Sequence, residues 1–455
     1  MALKRNYLAA VVITLVAAMA CPAEFQVNTG TDSNQANPAI AADTNGNFVV
    51  VWNSYFEWPR SNDILGQRFG ADASPVGREF QINTTTSGNQ KESSVATDAA
   101  GNFVVVWYGP GVSEEDIFGR RFDANGQPLA DEFSINSHTE SRQRVPKVAM
   151  NAAGAFVVVW ESDKLGAKPY EWVISCQLYD GRGLAVGQEF EVSLQPGCRY
   201  PDVAMDDNGN FAIVWVQDKS SNSLMARLYN ADGTARTAPF EVSTVGFSSL
   251  TQPSIGMDWS GHFVVAWDGD PKRASDDDIH ARCYAFDGVP MGEQFVVSTT
   301  LSGAQQNPRV AMNNQREFVI VWNSQIDPDI SEREIFGQRY DSLGSPIGDE
   351  FQVNTYAADD QKYPAVAIKE NGEFLTVWQS QGQDGSGYGI FAEMGPIVGS
   401  ADFTGDGFVD FRDYCILAEE WLKSENPLTA DLIDDNKIDE QDLAEFCYQW
   451  LTAGQ

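Results

Sequence analysis

One short run of sequence decides the fold: NFVVVW at 47–52, which returns as NFVVVW (102–107), AFVVVW (155–160) and EFVIVW (317–322). Its last residue recurs at a mean spacing of about 54 residues, as Trp52, Trp107, Trp160, Trp215, Trp267, Trp322 and Trp378. A period of this size made only of strand-like segments is typical of a β-propeller with one four-stranded blade per repeat. Because each indole can bury about 150–250 Å², we expect the seven tryptophans to form core between blades.

Each repeat contains four strand-like segments. In the first repeat they are PAIAAD (38–43), the run that ends in tryptophan, ILGQRF (64–69) and EFQIN (79–83). An Asn-Gly pair at 45–46 separates the first two segments and is a strong signal for a tight hairpin. The pattern therefore predicts antiparallel four-stranded sheets.

The fourth-strand motif also occurs seven times, but out of phase with the others. Its first copy, EFQVN (24–28), precedes every other strand, whereas the third strand after Trp378 (390–394) has no fourth strand behind it. We therefore predict a mainly β fold with a seven-bladed propeller at 24–394. The N-terminal strand would complete the last blade, which removes two open sheet edges.

The composition limits the possible partners. The 455 residues include 64 acidic and 30 basic residues, for a formal net charge of −34. Binding to nucleic acid is not expected, because phosphate contacts need basic surface. Cys176 and Cys198 belong to one repeat, and the sequence leaves a disulfide between them open.

The first 23 residues resemble a secretory signal peptide. A basic start at Lys4 and Arg5 precedes an apolar run at 8–18 and small residues suited to cleavage. No other segment is apolar enough to span a membrane, so the mature chain is expected to have no transmembrane segment. The protein is predicted to be extracellular, either secreted or at the cell surface, and a lipid anchor at Cys21 is an alternative.

Residues 402–413, DFTGDGFVDFRD, have the spacing of a calcium-binding loop of the EF-hand type. Oxygen ligands occupy loop positions 1, 3, 5, 9 and 12, a glycine occupies position 6, and position 7 offers its backbone carbonyl. The predicted calcium ligands of this first loop are Asp402, Thr404, Asp406, Phe408, Asp410 and Asp413.

A second, degraded copy follows at 431–442, DLIDDNKIDEQD. Position 3 is Ile433, which cannot coordinate a metal ion, and the charge of Lys437 at position 7 opposes binding. We expect this loop to bind calcium more weakly. Its predicted set is Asp431, Asp435, Lys437, Asp439 and Asp442.

Each loop is followed by a short amphipathic pattern, with Trp421 and Trp450 in matching positions. The duplicated loop and helix, with aspartate at position 12, resembles a type I dockerin over 402–451. The resemblance implies a small α-helical module that folds with calcium, at 402–455 behind a linker at 395–401. It also implies a cohesin-like partner domain, since dockerins attach secreted proteins, often polysaccharide-degrading ones, to cohesins.

One face of the predicted ring carries the long, irregular loops, for example 53–63 and 161–172. These loops join strand two to strand three and strand four to the next strand one, and variable loops on a rigid scaffold often carry function. Their aromatic and acidic side chains suit sugars. The candidate ligand-binding residues are Tyr55, Trp58, Asp63, Trp172, Asp278 and Tyr388.

The sequence leaves three functions open. In the first, a secreted bacterial protein binds glycan or protein ligands through its propeller, and the dockerin-like tail attaches it to a cohesin-type partner through calcium. The setting would be polysaccharide degradation. The alternative is a carbohydrate-active enzyme, a glycoside hydrolase or lyase, with its site on the loop face. The third is an adhesion ring with a structural tail. We recognise no catalytic motif: neither a sialidase Asp box nor a Ser-His-Asp pattern is present.

Overall fold

The computed structural model describes residues 24–395 except 32, 56–60, 113, 164–170, 219–221, 245–251, 270–276, 300–302 and 326–331. By proximity of its residues the chain divides into two compact units, Gln26–Ala392 and Met1–Phe25 with Glu393–Gln455. The predicted signal peptide and both predicted calcium loops lie outside the described residues.

The described residues form seven antiparallel four-stranded sheets, which we number as blades 1 to 7. Blades 1 to 3 are β2 (Gln35–Ala42), β3 (Phe48–Tyr55), β4 (Asn62–Phe69) and β5 (Pro75–Gln81); β6 (Lys91–Thr97), β7 (Phe103–Pro110), β8 (Glu115–Phe122) and β9 (Phe133–Ser134); β10 (Gln143–Met150), β11 (Phe156–Asp163), β12 (Trp172–Tyr179) and β13 (Ala185–Glu191). Blades 4 to 6 are β14 (Cys198–Met205), β15 (Phe211–Gln217), β16 (Ser223–Tyr229) and β17 (Phe240–Glu241); β18 (Ser254–Met257), β19 (Phe263–Gly269), β20 (Asp278–Tyr284) and β21 (Phe295–Val296); β22 (Gln305–Met312), β23 (Phe318–Ser324), β24 (Glu334–Tyr340) and β25 (Pro346–Gln352). Blade 7 is β26 (Gln361–Ile368), β27 (Phe374–Gln381), β28 (Tyr388–Gly395) and β1 (Phe25–Gln26).

Blade 7 contains strands from both ends of the ring sequence. Its strand order is β1-β28-β27-β26. The backbone N–H of Val27 donates to the carbonyl oxygen of Ile390 at 2.8 Å, and the Ile390 N–H donates to Asn28 Oδ1 at 2.7 Å. The prediction of seven blades completed by the N-terminal strand is confirmed.

The first strand of each blade lies innermost, and each contacts the first strand of the next blade, including β26 with β2. The seven tryptophans are at most 1% exposed, which confirms their predicted role as core. Trp160 illustrates the packing, because its blade 3 ring lies in one apolar cluster with Val104 and Val106 of blade 2. Its Nε1–H donates to Gln143 Oε1 on the innermost strand of its own blade at 2.9 Å.

The fourth-strand motif has a structural explanation. In blade 1, the ring of the motif residue Phe80 packs against blade 2, with its centroid 5.8 Å from that of the Phe122 ring. Asn83, which ends the motif, accepts the backbone N–H of Ile64 at 2.7 Å and so extends the pairing between the two outer strands. Asn136, Asn354 and Asn28 make the same bond in blades 2, 6 and 7.

Cys176 and Cys198 are free thiols, so the disulfide that the sequence left open is absent. Both are buried, and Cys198 Sγ donates to the carbonyl oxygen of Gln195 at 3.2 Å. Among the described residues, no helix is long and apolar enough to cross a lipid bilayer.

Candidate functional site

The innermost strands carry a repeated β-bulge near the end that faces the long loops. In β2 the register shifts between Ala36 and Ala39, and Asn37 has a φ of 53°. A proline follows, and its lack of an N–H is tolerated because a bulge interrupts the ladder. The strand therefore begins at Gln35, three residues before the start that the sequence suggested. Equivalent residues with positive φ are Glu92, Val145, Tyr200, Asn307 and Tyr363.

The bulge turns a backbone N–H toward the neighbouring blade, where the side chain after the buried tryptophan accepts it. Glu161 Oε1 accepts from Tyr200 at 2.7 Å, and Gln379 Oε1 accepts from Asn37 at 3.1 Å. Burial raises the pKa of Glu161 to about 7, although the Tyr200 hydrogen bond favours the ionised form. Because a neutral glutamine makes the same bond, we assign the Glu161 carboxyl to the joint between blades.

A cavity of about 210 Å³ lies between the innermost strands at the level of the bulges. Charged, amide and aromatic groups share its wall. Those used below are Asn37, Glu92, Lys147, Asp202, Gln252, Arg309 and Tyr363. Tyr363 is the aromatic residue used below, and it is 39% exposed. We call this cavity and its rim the channel mouth.

Two charged groups of the channel mouth are held by the fold. Both oxygens of the Asp202 carboxylate accept backbone N–H groups, from Val203 and from Ile255 of the next blade, each at 3.0 Å. Arg309 donates to Gln252 Oε1 at 2.7 Å and to the carbonyl oxygen of Pro308 at 2.8 Å. These hydrogen bonds fix the position of both groups.

Four other charged groups have no hydrogen bond or ion pair with any residue that the structure describes: Lys91, Glu92, Lys147 and Arg199. They lie on the innermost strands of blades 2, 3 and 4. Burial raises the pKa of Glu92, opposed by the charges of Lys147, Arg144 and Lys91. Burial also lowers the pKa of Lys147, and the nearby charge of Arg309 lowers it further. The described part of the chain therefore leaves the hydrogen-bonding capacity of these four side chains unused.

Trp172 organises the rim beside them. Its ring is 5% exposed, with the Arg144 guanidinium 6.0 Å and the Arg199 guanidinium 5.9 Å from the ring centroid. Arg144 pairs with Glu115, whereas Arg199 Nε is buried without a partner in the described part of the chain. Trp172 therefore positions two guanidinium groups by cation–π contact.

The other predicted ligand-binding residues differ in how exposed they are and in where they lie on their strands. Tyr55 is 47% exposed at the end of β3. Tyr388 is half-buried at the start of β28, and its hydroxyl lies 3.2 Å from Gln381 Oε1. Asp278 begins β20 and is half-buried. Trp58 lies outside the described residues.

Asp63 is 2% exposed, and its Oδ1 accepts the Nδ2–H of Asn83 at 2.8 Å. Asp116 is bonded in the same way to Asn136 in blade 2. The same pair in blades 1 and 2 shows that this carboxylate joins the two outer strands of its own blade. A role for the six predicted residues in ligand binding stays a prediction.

Sequence reasoning missed Glu92, Lys147 and Arg199, because it looked for function in the loops. A signal was present in the repeat. When the blades are aligned on the proline of the first strand, as in NPAIA (37–41), VPKVA (145–149) and YPDVA (200–204), the residue after proline changes from alanine to lysine to aspartate. This variation distinguishes the blades at one position of an otherwise regular repeat.

No protein-family model and no curated protein matches the chain. Among solved structures, a protein of unknown function from Dyadobacter fermentans is 10% identical, with a TM-score of 0.50, over 83% of this chain and 98% of that one. A polysaccharide lyase, PL25 ulvan lyase, is 11% identical, with a TM-score of 0.48, over 82% of this chain and 96% of that one.

The β-propeller domain of the Trilobed protease from Pyrococcus furiosus is 8% identical, with a TM-score of 0.47, over 80% of this chain and 94% of that one. A Hadza microbial sialidase is also similar in fold, and so is the GH93 α-L-arabinofuranosidase of Fusarium graminearum. Glycoside hydrolases and lyases are thus among the structural neighbours. Likeness at this level of identity shows the fold alone: a β-propeller.

Proposed function

We propose that this chain acts on a polysaccharide, with sugar residues bound at the channel mouth. The observation that carries the proposal is the composition of that cavity. The exposed ring of Tyr363 suits the apolar face of a sugar, and the amides of Asn37 and Gln252 suit its hydroxyl groups. The unpaired carboxyl of Glu92 stands in the same wall.

Cleavage of a glycosidic bond requires a group that moves a proton, and Glu92 is suited to that role. Its pKa is raised by burial, so its carboxyl exchanges protons closer to neutral pH than an exposed glutamate does. Glu92 also has a φ of 52°, an uncommon backbone conformation for a glutamate. The chain would then be a carbohydrate-active enzyme, a glycoside hydrolase or lyase.

The test is release of reducing ends from a panel of plant, algal and bacterial polysaccharides by the full chain. We expect Glu92→Gln to reduce cleavage by about 100-fold or more, the usual contribution of a general acid or base. Glu293→Gln is the matched control, because Glu293 is exposed on the outside of blade 5. Equal activity of Glu92→Gln and the wild type would contradict the assignment.

A second candidate function is binding without cleavage. The carboxylates of Asp202 and Glu161 accept backbone N–H groups, which leaves Glu92 as the unpaired carboxyl of the described cavity wall. Most glycoside hydrolases use a pair of carboxyl groups, so a single unpaired carboxyl favours binding over this mechanism. Retention of polysaccharide on a column of the immobilised full chain, with no reducing ends released from any polymer, would support this candidate over the enzyme.

We also propose that the tail attaches the ring to a cohesin-like domain through calcium bound at 402–413. The support is the ligand spacing of that loop and its resemblance to a dockerin. Calorimetry of the full chain should show calcium binding that is lost in the double variant Asp402→Asn and Asp406→Asn. Asp349→Asn in the ring is the control, and capture of a cohesin that survives both EDTA and the double variant would contradict attachment through calcium.

A further inference from the structure

The balance of charge on the innermost strands is the reverse of that of the whole chain. The whole chain has 30 basic and 64 acidic residues. The described innermost strands have two acidic residues, Glu92 and Asp202. They have six basic ones: Lys91, Arg144, Lys147, Arg199, Arg309 and Lys362. Basic residues are therefore concentrated on the one set of strands that surrounds the cavity.

Three of the six basic groups are occupied within the fold. Arg144 pairs with Glu115, and Lys362 pairs with Asp360 at 2.6 Å. The hydrogen bonds of Arg309 to Gln252 and Pro308 are described above. These three groups account for rigidity rather than for ligand binding.

The other three, Lys91, Lys147 and Arg199, have no hydrogen bond or ion pair within the described part of the chain. They follow one another on blades 2, 3 and 4, and Glu92 is the one unpaired acidic group on those strands. A buried N–H without a partner is costly, and Arg199 Nε is such a group. The cation–π contacts of Arg199 with Trp172 and Tyr200 hold the guanidinium in place without using its N–H donors.

We infer that the polysaccharide bound at the channel mouth carries negatively charged substituents, carboxylates or sulfates, that contact Lys147 in the cavity wall and Arg199 on the innermost strand of the next blade. The inference rests on the proposed function and names its substrate class. A planar guanidinium presents parallel N–H donors to both kinds of oxyanion, and an ammonium adds a point charge. Elsewhere the acidic surface repels such a polymer, so the three unpaired basic groups select where it binds.

The experiment compares binding of three polymers by the full chain: a polyuronate, a sulfated galactan and a neutral β-glucan of similar length. Calorimetry at low and high salt gives the affinity and its electrostatic part. We expect one or both anionic polymers to bind at least tenfold more tightly than the neutral one, and this preference to shrink in high salt. The two anionic polymers distinguish a carboxylate from a sulfate.

Variants locate the contact. Arg199→Gln and Lys147→Gln should each weaken binding of the preferred anionic polymer by about tenfold, the usual effect of losing one charge-assisted hydrogen bond. Arg78→Gln, on the exposed outer strand of blade 1, is the control and should have no effect. Unchanged thermal unfolding of Lys147→Gln would show that its loss of affinity is not a loss of fold.

The outcomes separate the two proposals. Binding or cleavage of the neutral polymer as efficiently as the anionic ones, with no effect of Arg199→Gln, overturns the inference and leaves the proposed function standing. Failure of the full chain to bind or cleave polysaccharides of any charge would contradict the proposed function as well.

Discussion

Blades 2 to 4 and blades 6, 7 and 1 have the same strand arrangement. They differ in whether the charged side chains of their innermost strands have partners in the fold. On both sides the innermost strand has the same bulge, with a positive φ at Glu92 in blade 2 and at Asn307 in blade 6. In blades 2 to 4, four charged side chains of these strands lack partners in the described part of the chain, whereas Arg144 and Asp202 are bonded. In blades 6 and 7 the charged side chains of these strands, Arg309 and Lys362, are bonded to neighbours.

The difference indicates which residues belong to the scaffold and which are available for a ligand. A repeat protein builds its core from positions that every blade shares, so a residue that departs from the repeat and has no partner in the described fold is a candidate for ligand binding. The innermost strand of blade 1 has alanine where blade 3 has Lys147, and the bulge is unaffected. The bulge therefore does not require Lys147.

The largest expected effect tests whether both sides share one framework. Trp160→Ala in blade 3 and Trp322→Ala in blade 6 should each lower the free energy of unfolding by about 3–5 kcal/mol, the cost of a large buried cavity. Both rings are 0% exposed, and both donate Nε1–H to a glutamine at 2.9–3.0 Å. Urea unfolding followed by circular dichroism measures the loss. Effects that differ by more than about 2 kcal/mol between the two variants would break the equivalence of the blades.

A smaller effect distinguishes Glu161 from its counterpart Gln379. The pKa of Glu161 rises from 4.5 to about 7 on folding, which corresponds to about 3 kcal/mol. Below about pH 4.5 the Glu161 carboxyl is protonated in both the folded and the unfolded chain. The stability linked to its raised pKa is then fully present. As the pH rises to about 7 the unfolded chain loses the proton first, and stability falls.

Glu161→Gln should remove this dependence and keep the hydrogen bond to Tyr200, as Gln379 does for Asn37. We therefore expect the difference in free energy of unfolding, variant minus wild type, to be about 3 kcal/mol larger at about pH 8 than at about pH 4. A difference between variant and wild type that does not change with pH would show that the carboxyl is ionised in the fold.

The third prediction compares two arginines. Arg309→Gln should lower the free energy of unfolding by about 2 kcal/mol, because it removes two charge-assisted hydrogen bonds. Arg199→Gln should lower it by about 1 kcal/mol at most, since Arg199 has cation–π contacts but no hydrogen bond within the described part of the chain. Thermal unfolding of both variants checks the ranking, and equal losses would show that Arg199 is a structural residue.

The fold was predictable because the sequence repeat of a propeller shows both the number of blades and how the ring closes. The tryptophan period gave the number of blades, and the early EFQVN motif gave the closure. The strand starts were less accessible. The predicted start of β2 at Pro38 was too late, because a proline normally argues against the interior of a central strand. The bulge at Asn37 permits the proline, and this bulge is a feature of the tertiary structure that the sequence does not show.

The candidate site was less predictable, because its chemistry depends on which charges find partners. Asp63 and Glu92 are both acidic residues of the ring, yet only the structure shows that Asp63 is bonded to Asn83 and that Glu92 is unpaired. Pairing across blades joins residues far apart in sequence, such as Asp202 and the N–H of Ile255, 53 positions away. A sequence pattern cannot show which of these bonds form.

The smallest expected effect sharpens the comparison at the bulge itself. Val145 has a φ of 51° in blade 3, where blades 1 and 6 have Asn37 and Asn307. A β-branched residue in this conformation is strained, whereas asparagine adopts it readily, so Val145→Asn should raise the free energy of unfolding by about 1 kcal/mol. Urea midpoints measure the gain, and Asn307→Val should lose a similar amount as the reciprocal control. If Val145→Asn is destabilising, the apolar contacts of Val145 at the channel outweigh its backbone strain, and blade 3 would then depart from the repeat for packing rather than for binding.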